Sequence, residues 1–460
     1  MDTCRRPSDQ HRPCSEGEAQ PLFVLLSFEG PDSYAKAGGL ASRESDLSET
    51  LADFGYDVHL FFIGDPSLPG VETRNEGRLT LHRWCQWISR YHPGGVYDGE
   101  EGKWRDWNNS LPRWIASDLI RPAVEQGRQV VVLAEEWHTA ASVVALRNLM
   151  AGAEGNVKFL WNANNTFGFD RIDWDGLRRS ATITTISRYM RALLAQRGVE
   201  AWVVPNGIAG TWLAPDDTMP AHPPLTEVFP DRLVLTKVAR WDPDKNWETA
   251  ISAVEASKRI GLRPLLLARG GMEAHGDAVL RQAHSLSLDV RHVRWPRQGV
   301  GAMLAALRSA SAADILILDE RLEQEHAKAL YAGSFAVLAN SDKEPFGLVG
   351  LETMACGGLA FVGSTGEDYA TNGHDSFCLQ SKDPSELVRH IVRLVNTPGR
   401  ATAMRKAART TASRFSWHAI VERVLVPTLG LPQPPMPDLG AELIQRREDP
   451  ESDEQLARVA

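Results

Sequence analysis

Two glutamates, Glu344 and Glu352, stand eight positions apart across a Pro-Phe-Gly turn in the stretch SDKEPFGLVGLETMACGG. A carboxylate suits a sugar, because its oxygens accept hydrogen bonds from two adjacent hydroxyls. Between the two, Gly347 and Leu348 open an apolar helix whose first amides lack intrahelical partners and can bind an anion such as phosphate. Glu352 then lies inside the helix, and Glu344 projects from the turn. A bare pair at this spacing is ordinarily solvated; its position at a strand end, around a glycine turn, makes it specific. Arg240 and Lys245 in VARWDPDKNW are two cations that can clamp a diphosphate and offset charge on a leaving group, or else plain surface charges. In YAKAGGL, Gly38 and Gly39 let the backbone approach a ligand at a helix start, and Lys36 can meet a phosphate. A solvated lysine beside a helix-starting glycine pair is the alternative, and no G-x-G-x-x-G fingerprint is present. His138, in AEEWHTA, stands where a strand meets its helix, as a functional or a structural histidine.

Two acidic patterns, Asp173 to Asp175 (DWD) and Asp242 to Asp244 (DPD), mimic a metal-binding DxD. The first follows a polar loop rather than a strand, and such short patterns arise by chance, so no metal site is expected. GEEGKW fails as a phosphate loop, because the upstream glycine is missing and Trp104 replaces Ser/Thr.

The elements that must hold these residues are legible as alternation. PLFVLLSF is a continuous apolar run, the signature of a strand buried on both faces of a parallel sheet. Leu40, Leu47, Leu51 and Phe54 follow at helical spacing with Gly55 as a stop, and YDVHLFFIG is the next strand. VVVLAEEW with a helix from about Thr139, VKFLWNAN, ATITTIS with a helix near Arg188, and AWVVPNGI continue the pattern. After a Pro-rich connector it restarts with RLVLTKVAR and a helix from Trp247, then RPLLLARGG, DVRHVRW, ADILILD and SFAVLANS as strands. The expectation is an α/β chain of two doubly wound domains facing a cleft: a leader over 1–20, a first domain over 21–208, a hinge over 209–230, a second domain over 231–430 and a Pro-rich, acidic tail over 431–460. Ligands of such sheets sit beyond the carboxyl ends of strands, where the residues above fall.

Composition narrows the class. With 460 residues two domains are natural, and 43% apolar with 24% charged residues is the balance of a globular protein. A net charge of -9 argues against a general nucleic-acid partner. No apolar run approaches the ~20 residues of a membrane span, and the leader lacks a signal peptide's apolar core. Five scattered cysteines suggest a reducing, cytoplasmic setting. Five of the 14 tryptophans fall between Trp84 and Trp114, where they can stack on sugars or pack an insertion.

In this order the motifs resemble a retaining, two-Rossmann-domain (GT-B) glycosyltransferase of glycosyltransferase family 4. EPFGLVGLETMACG is similar to that family's E-x7-E segment, TISRYMRALLAQRGV with VVPNGI to its inter-domain signature, and RWDPDKN to its phosphate-clamp loop. The resemblance implies that Glu344 meets the donor sugar, Glu352 the nucleotide ribose, and Arg240 with Lys245 the diphosphate. His138 stands in a segment similar to the DWHT of starch and glycogen synthases. Lys36, Gly38 and Gly39 match their K-x-G-G-L, which makes them donor-phosphate candidates. The synthases' TGGL is here STGED, closer to a broader Gly/Glu pattern at Gly366 and Glu367. What is implied is a metal-independent enzyme, without cofactor, that moves a hexose from a UDP-, ADP- or GDP-sugar to an unspecified acceptor with retained configuration. An epimerase, a phosphorylase, or a catalytically silent sugar-nucleotide-binding protein are the alternatives.

Overall fold

Consecutive apolar residues can share a strand only where both faces of the sheet are covered. In the computed structural model, which describes residues 20–153, 155–213, 225–296, 299–397 and 399–431, all five residues of Leu22–Leu26 are buried. The leader up to residue 19, the tail beyond Leu431 and hinge residues 214–224 lie outside the described residues.

Leu22–Leu26 (β1), Asp57–Ile63 (β2), Val71–Arg74 (β3), Leu79–Trp84 (β4), Val130–Glu135 (β5), Val157–Ala163 (β6), Thr182–Thr185 (β7) and Trp202–Val203 (β8) form one sheet, in the order β3-β4-β2-β1-β5-β6-β7-β8. β1 lies parallel to both β2 and β5, whereas β3 is antiparallel to β4. Leu233–Val238 (β9), Pro264–Arg269 (β10), Val290–Val293 (β11), Ile315–Leu318 (β12), Ala336–Ala339 (β13), Ala360–Val362 (β14) and Phe377–Cys378 (β15) form the other, in the order β11-β12-β10-β9-β13-β14-β15. Every pairing in this second sheet is parallel. The expected α/β class, with two mainly parallel sheets, is borne out. By contacts, the described chain divides into one unit of residues 20–134, 138–160 and 421–431 and another of residues 135–137 and 161–420.

The second sheet shows why the order is doubly wound. Side chains alternate across a strand, so Leu266 and Ala268 of β10 enter one core while Leu265 and Leu267 enter the other. Helices Trp247–Arg259, His275–Ser285 and Pro384–Val395 cover the first face through Ile251, Val279 and Leu387. Helices Gly299–Ser309 and Gln324–Gly333 cover the second through Met303, Leu307 and Leu330.

The Trp-rich segment packs in part. Trp107, on helix Glu100–Trp114, is fully buried, and Trp84 packs at a tilt against Trp114, 5.9 Å between ring centroids. Trp87 and Tyr91 face solvent.

Candidate functional site

Two loops at the carboxyl ends of β9 and β13 carry the second unit's chemistry, and their backbones are tied together. Asp342 N donates to the Asp244 carbonyl at 2.7 Å, and Asn246 Nδ2 donates to the Asn340 carbonyl at 3.0 Å. Asn246 itself sits at φ 50°, a left-handed turn that Asn tolerates, directly before helix Trp247–Arg259. This fastening brings Lys245 Nζ to 2.8 Å from Glu344 Oε2 and 3.2 Å from Asp244 Oδ2. Burial works against the lysine's charge, but the two carboxylates outweigh it and hold the ammonium above the ordinary lysine range. An ammonium has three donors, so this one keeps a third for a ligand.

Arg240 is placed differently. Its guanidinium pairs with Asp242 at 3.0 Å and is 69% exposed, on the same loop but open to solvent. Both aspartates of the DPD pattern thus pair with cations of their own loop. Asp173 of the other pattern caps helix Trp174–Ser180, and Asp175 pairs with Arg178.

Gly347 stands at φ 76°, ψ 57°, and is the N-cap of helix Leu348–Ala355. No side chain caps the helix, and its first amides, that of Leu348 among them, lack intrahelical partners. Leu351, Met354 and Ala355 bury the helix's inner face, and Glu352 is half-buried on it. The structure therefore brings Lys245 and Glu344 into contact, and places Gly347, Leu348 and Glu352 on the element that follows directly.

In the first unit the expected anion receptor already holds one. Glu29, 5% exposed, accepts from the amides of Ala37 (3.3 Å), Gly38 (2.8 Å) and Ala41 (3.2 Å) through Oε2, and from the Tyr97 hydroxyl (2.7 Å) through Oε1. Lys36 and Gly39 are exposed around it. His138 is buried, stacked on Phe28 at 4.1 Å, with Nε2 at 2.8 Å from Glu100 Oε1. Glu29 and Glu100 were not singled out from sequence, because what a carboxylate accepts from is a tertiary property.

Two more groups emerge only from the fold. Lys237, in the middle of the apolar strand β9, is fully buried and donates to Asn340 Oδ1 at 2.6 Å and to the Leu338 carbonyl at 3.2 Å. Burial first, and the charge of Lys245 next, push its pKa down to about 7. Glu367 is the other; burial pushes its carboxyl up to about 8. The signals were faint: a lone lysine within LVLTKV, and the Gly/Glu pattern at Gly366 and Glu367.

Against known proteins, residues 316–411 match the family described as Glycosyl transferases group 1. This segment is similar to group 1 glycosyl transferases. The matched segment runs from within β12 through β13 and holds Glu344, Glu352 and Glu367, so the resemblance read from the motifs is borne out. The D-inositol 3-phosphate glycosyltransferase of Thermobispora bispora is 28% identical over 418 residues, 84% of this chain and 89% of its own. Among solved structures, the sucrose-phosphate synthase of Thermosynechococcus elongatus is similar at a TM-score of 0.59 with 18% identity, covering 90% of this chain and 98% of that one. Anabaena Alr3699/HepE, in complex with UDP and glucose, gives 0.55 with 15% identity, over 90% and 100%. The likenesses to solved structures carry the GT-B fold; the family match supports glycosyl transfer from a nucleotide sugar. Among the described residues no helix is long and apolar enough to cross a membrane.

Proposed function

We propose that this chain is a cytoplasmic, retaining, metal-independent hexosyltransferase, with residues 231–430 as the donor side and 21–208 as the acceptor side. The observation that carries the proposal is the contact of Lys245 with Glu344 beside the amides that Gly347 exposes. A diphosphate needs fixed positive charge, and the hexose attached to it needs a hydroxyl acceptor within reach; the contact supplies both at one place.

The chemistry follows from charge. As the bond from the sugar's anomeric carbon to the phosphate oxygen breaks, the sugar becomes oxocarbenium-like and the diphosphate gains negative charge. Lys245, the exposed Arg240 and the amides at Gly347 and Leu348 stabilise that leaving group, so no Lewis acid is required. Glu344 holds sugar hydroxyls and Glu352 the ribose. Neither need attack, because the acceptor hydroxyl enters on the face the phosphate leaves and gives its proton to the departing phosphate oxygen, which retains configuration. In the first unit Glu29 occupies the Gly38 amide, a place a donor phosphate could take only by displacing that carboxylate, while the exposed Lys36 and Gly39 are assigned to phosphate and His138 to sugar. The relatives' name makes D-inositol 3-phosphate the first acceptor to try.

The test begins with thermal shifts against UDP-, ADP- and GDP-glucose, since a donor that binds only the folded chain raises Tm. Transfer is then followed with the best donor, and the product's anomeric configuration is read by NMR. Lys245→Ala and Glu344→Gln each lower kcat/KM by about 100-fold, the scale of losing one group that stabilises developing charge. Unchanged transfer by both folded variants would sink the proposal.

A further inference from the structure

Glu367 has no role in the reaction as described above, yet it sits under the turn that does. The side chain is 7% exposed, in the loop after β14. Its Oε2 accepts from the Thr365 amide at 3.2 Å. Thr365 Oγ1 in turn accepts from the Glu344 amide at 2.9 Å and lies 3.2 Å from the Glu344 carbonyl. At the other end of the turn, a methyl group at Gly347 would stand 2.9 Å from Glu367 Cγ and 3.1 Å from its Oε1. Tyr369 closes the same end, its hydroxyl donating to the Gly347 carbonyl at 2.5 Å. Gly366 lies so close that a methyl group there would be 2.1 Å from the Glu344 carbonyl oxygen.

We propose that Glu367 is a positioning residue for the transfer: through Thr365 and its packing against Gly347 it seats the Glu344–Gly347 turn at the angle that donor recognition requires. This rests on the function proposed above, because the turn matters to catalysis only if it holds the donor.

The geometry also dictates the form in which the side chain works. Oε1 is buried and makes no well-formed hydrogen bond, although the backbone amides of Gly363 and Glu367 itself lie near the carboxyl. Burial disfavours the ionised form, and these amides offset that cost only in part. The titratable groups that face it are Glu344, Tyr369 and Cys378, all acidic or neutral; burial, helped by the charge of Glu344, outweighs the amides of Glu367 itself, Thr365 and Gly363 and raises the Glu367 pKa to about 8. At neutral pH the acid form therefore dominates. Above that pH a second negative charge appears beside Glu344, and the turn is pushed out of place.

Glu367→Gln keeps the shape without the proton; Glu367→Ala removes both. Donor KM, kcat and hydrogen exchange over residues 341–349, corrected for the intrinsic rate, are measured from pH 6 to about pH 9.5. In the wild type, donor KM and exchange rise above about pH 8, with a smaller change in kcat. Glu367→Gln stays within about threefold of the wild-type KM at pH 7 and shows no alkaline rise; Glu367→Ala raises KM about tenfold at every pH. A Gln variant that shares the alkaline rise, or an Ala variant with wild-type KM and exchange, overturns the proposal. A wild type that binds no sugar nucleotide would instead remove the proposed function, and the exchange profiles alone would then decide whether Glu367 seats the turn.

Discussion

Lys237 is an amine in a strand otherwise made of Leu233, Val234, Leu235, Thr236 and Val238. It lies 5.1 Å over the Trp247 ring, with its ammonium tied to Asn340. Its pKa of about 7, against 10.5 for a free lysine, makes folding depend on pH. Between those two values the unfolded chain binds a proton that the folded chain does not, so this group's contribution to stability rises with pH across the window. Lys237→Met removes that exchange of protons, and the slope of urea midpoint against pH from about 7 to about 10 becomes flatter. An unchanged slope would mean that the buried amine keeps its proton. A lysine flanked by Leu235, Thr236 and Val238 was visible in sequence; its burial depended on β9 being central in its sheet, which no local pattern reveals.

At the scale of elements, helix Leu348–Ala355 is the part on which most depends, and its start is a single left-handed glycine. Gly347→Ala forces a side chain into φ 76° and against Glu367, at a cost of roughly 1–2 kcal/mol from the backbone alone. The expected outcome is a lower urea midpoint and weaker nucleotide-sugar binding by calorimetry; a variant with wild-type values for both would show that the turn tolerates a right-handed alternative. Much at this scale was legible. Helices beginning at Trp247 and Arg188 start where the periodicity puts them, and the turn at Gly347 was marked by its residue types. The misses have physical causes. β14 and β15 are three and two residues long, too short for any period to show. β3 is an exposed antiparallel edge with the polar sequence VETR, so it lacks the apolar run that marked the buried strands. AWVVPNGI yields only the two-residue β8, because Pro205 cannot donate to a ladder.

For the whole molecule, the alternation of strands and helices gave the α/β class directly, while the grouping of residues into units depended on contacts remote in sequence. Residues 421–431 group with the first unit although they follow the second sheet in the chain. The site was likewise half legible: residue types at strand ends pointed to Lys245 and Glu344, but not to Glu29 on the Gly38 amide or Glu100 on His138, both of which needed the fold. The proposed reaction places its positive charge on side chains, so transfer in EDTA is expected to run at the rate seen without it. Loss of turnover on chelation, restored by a divalent ion, would overturn metal independence.

The pairing of Asp342 with Asp244, Asn246 with Asn340 and Lys245 with Glu344 joins segments about a hundred residues apart in the chain. They form one part rather than two. A change of donor preference built by exchanging loops with another enzyme would have to carry residues 240–246 and 340–347 together, since either alone would meet a partner cut to a different pattern. Drift in one loop is likewise tolerable only as fast as the other can follow, so the inheritable unit of specificity here is the fastened pair.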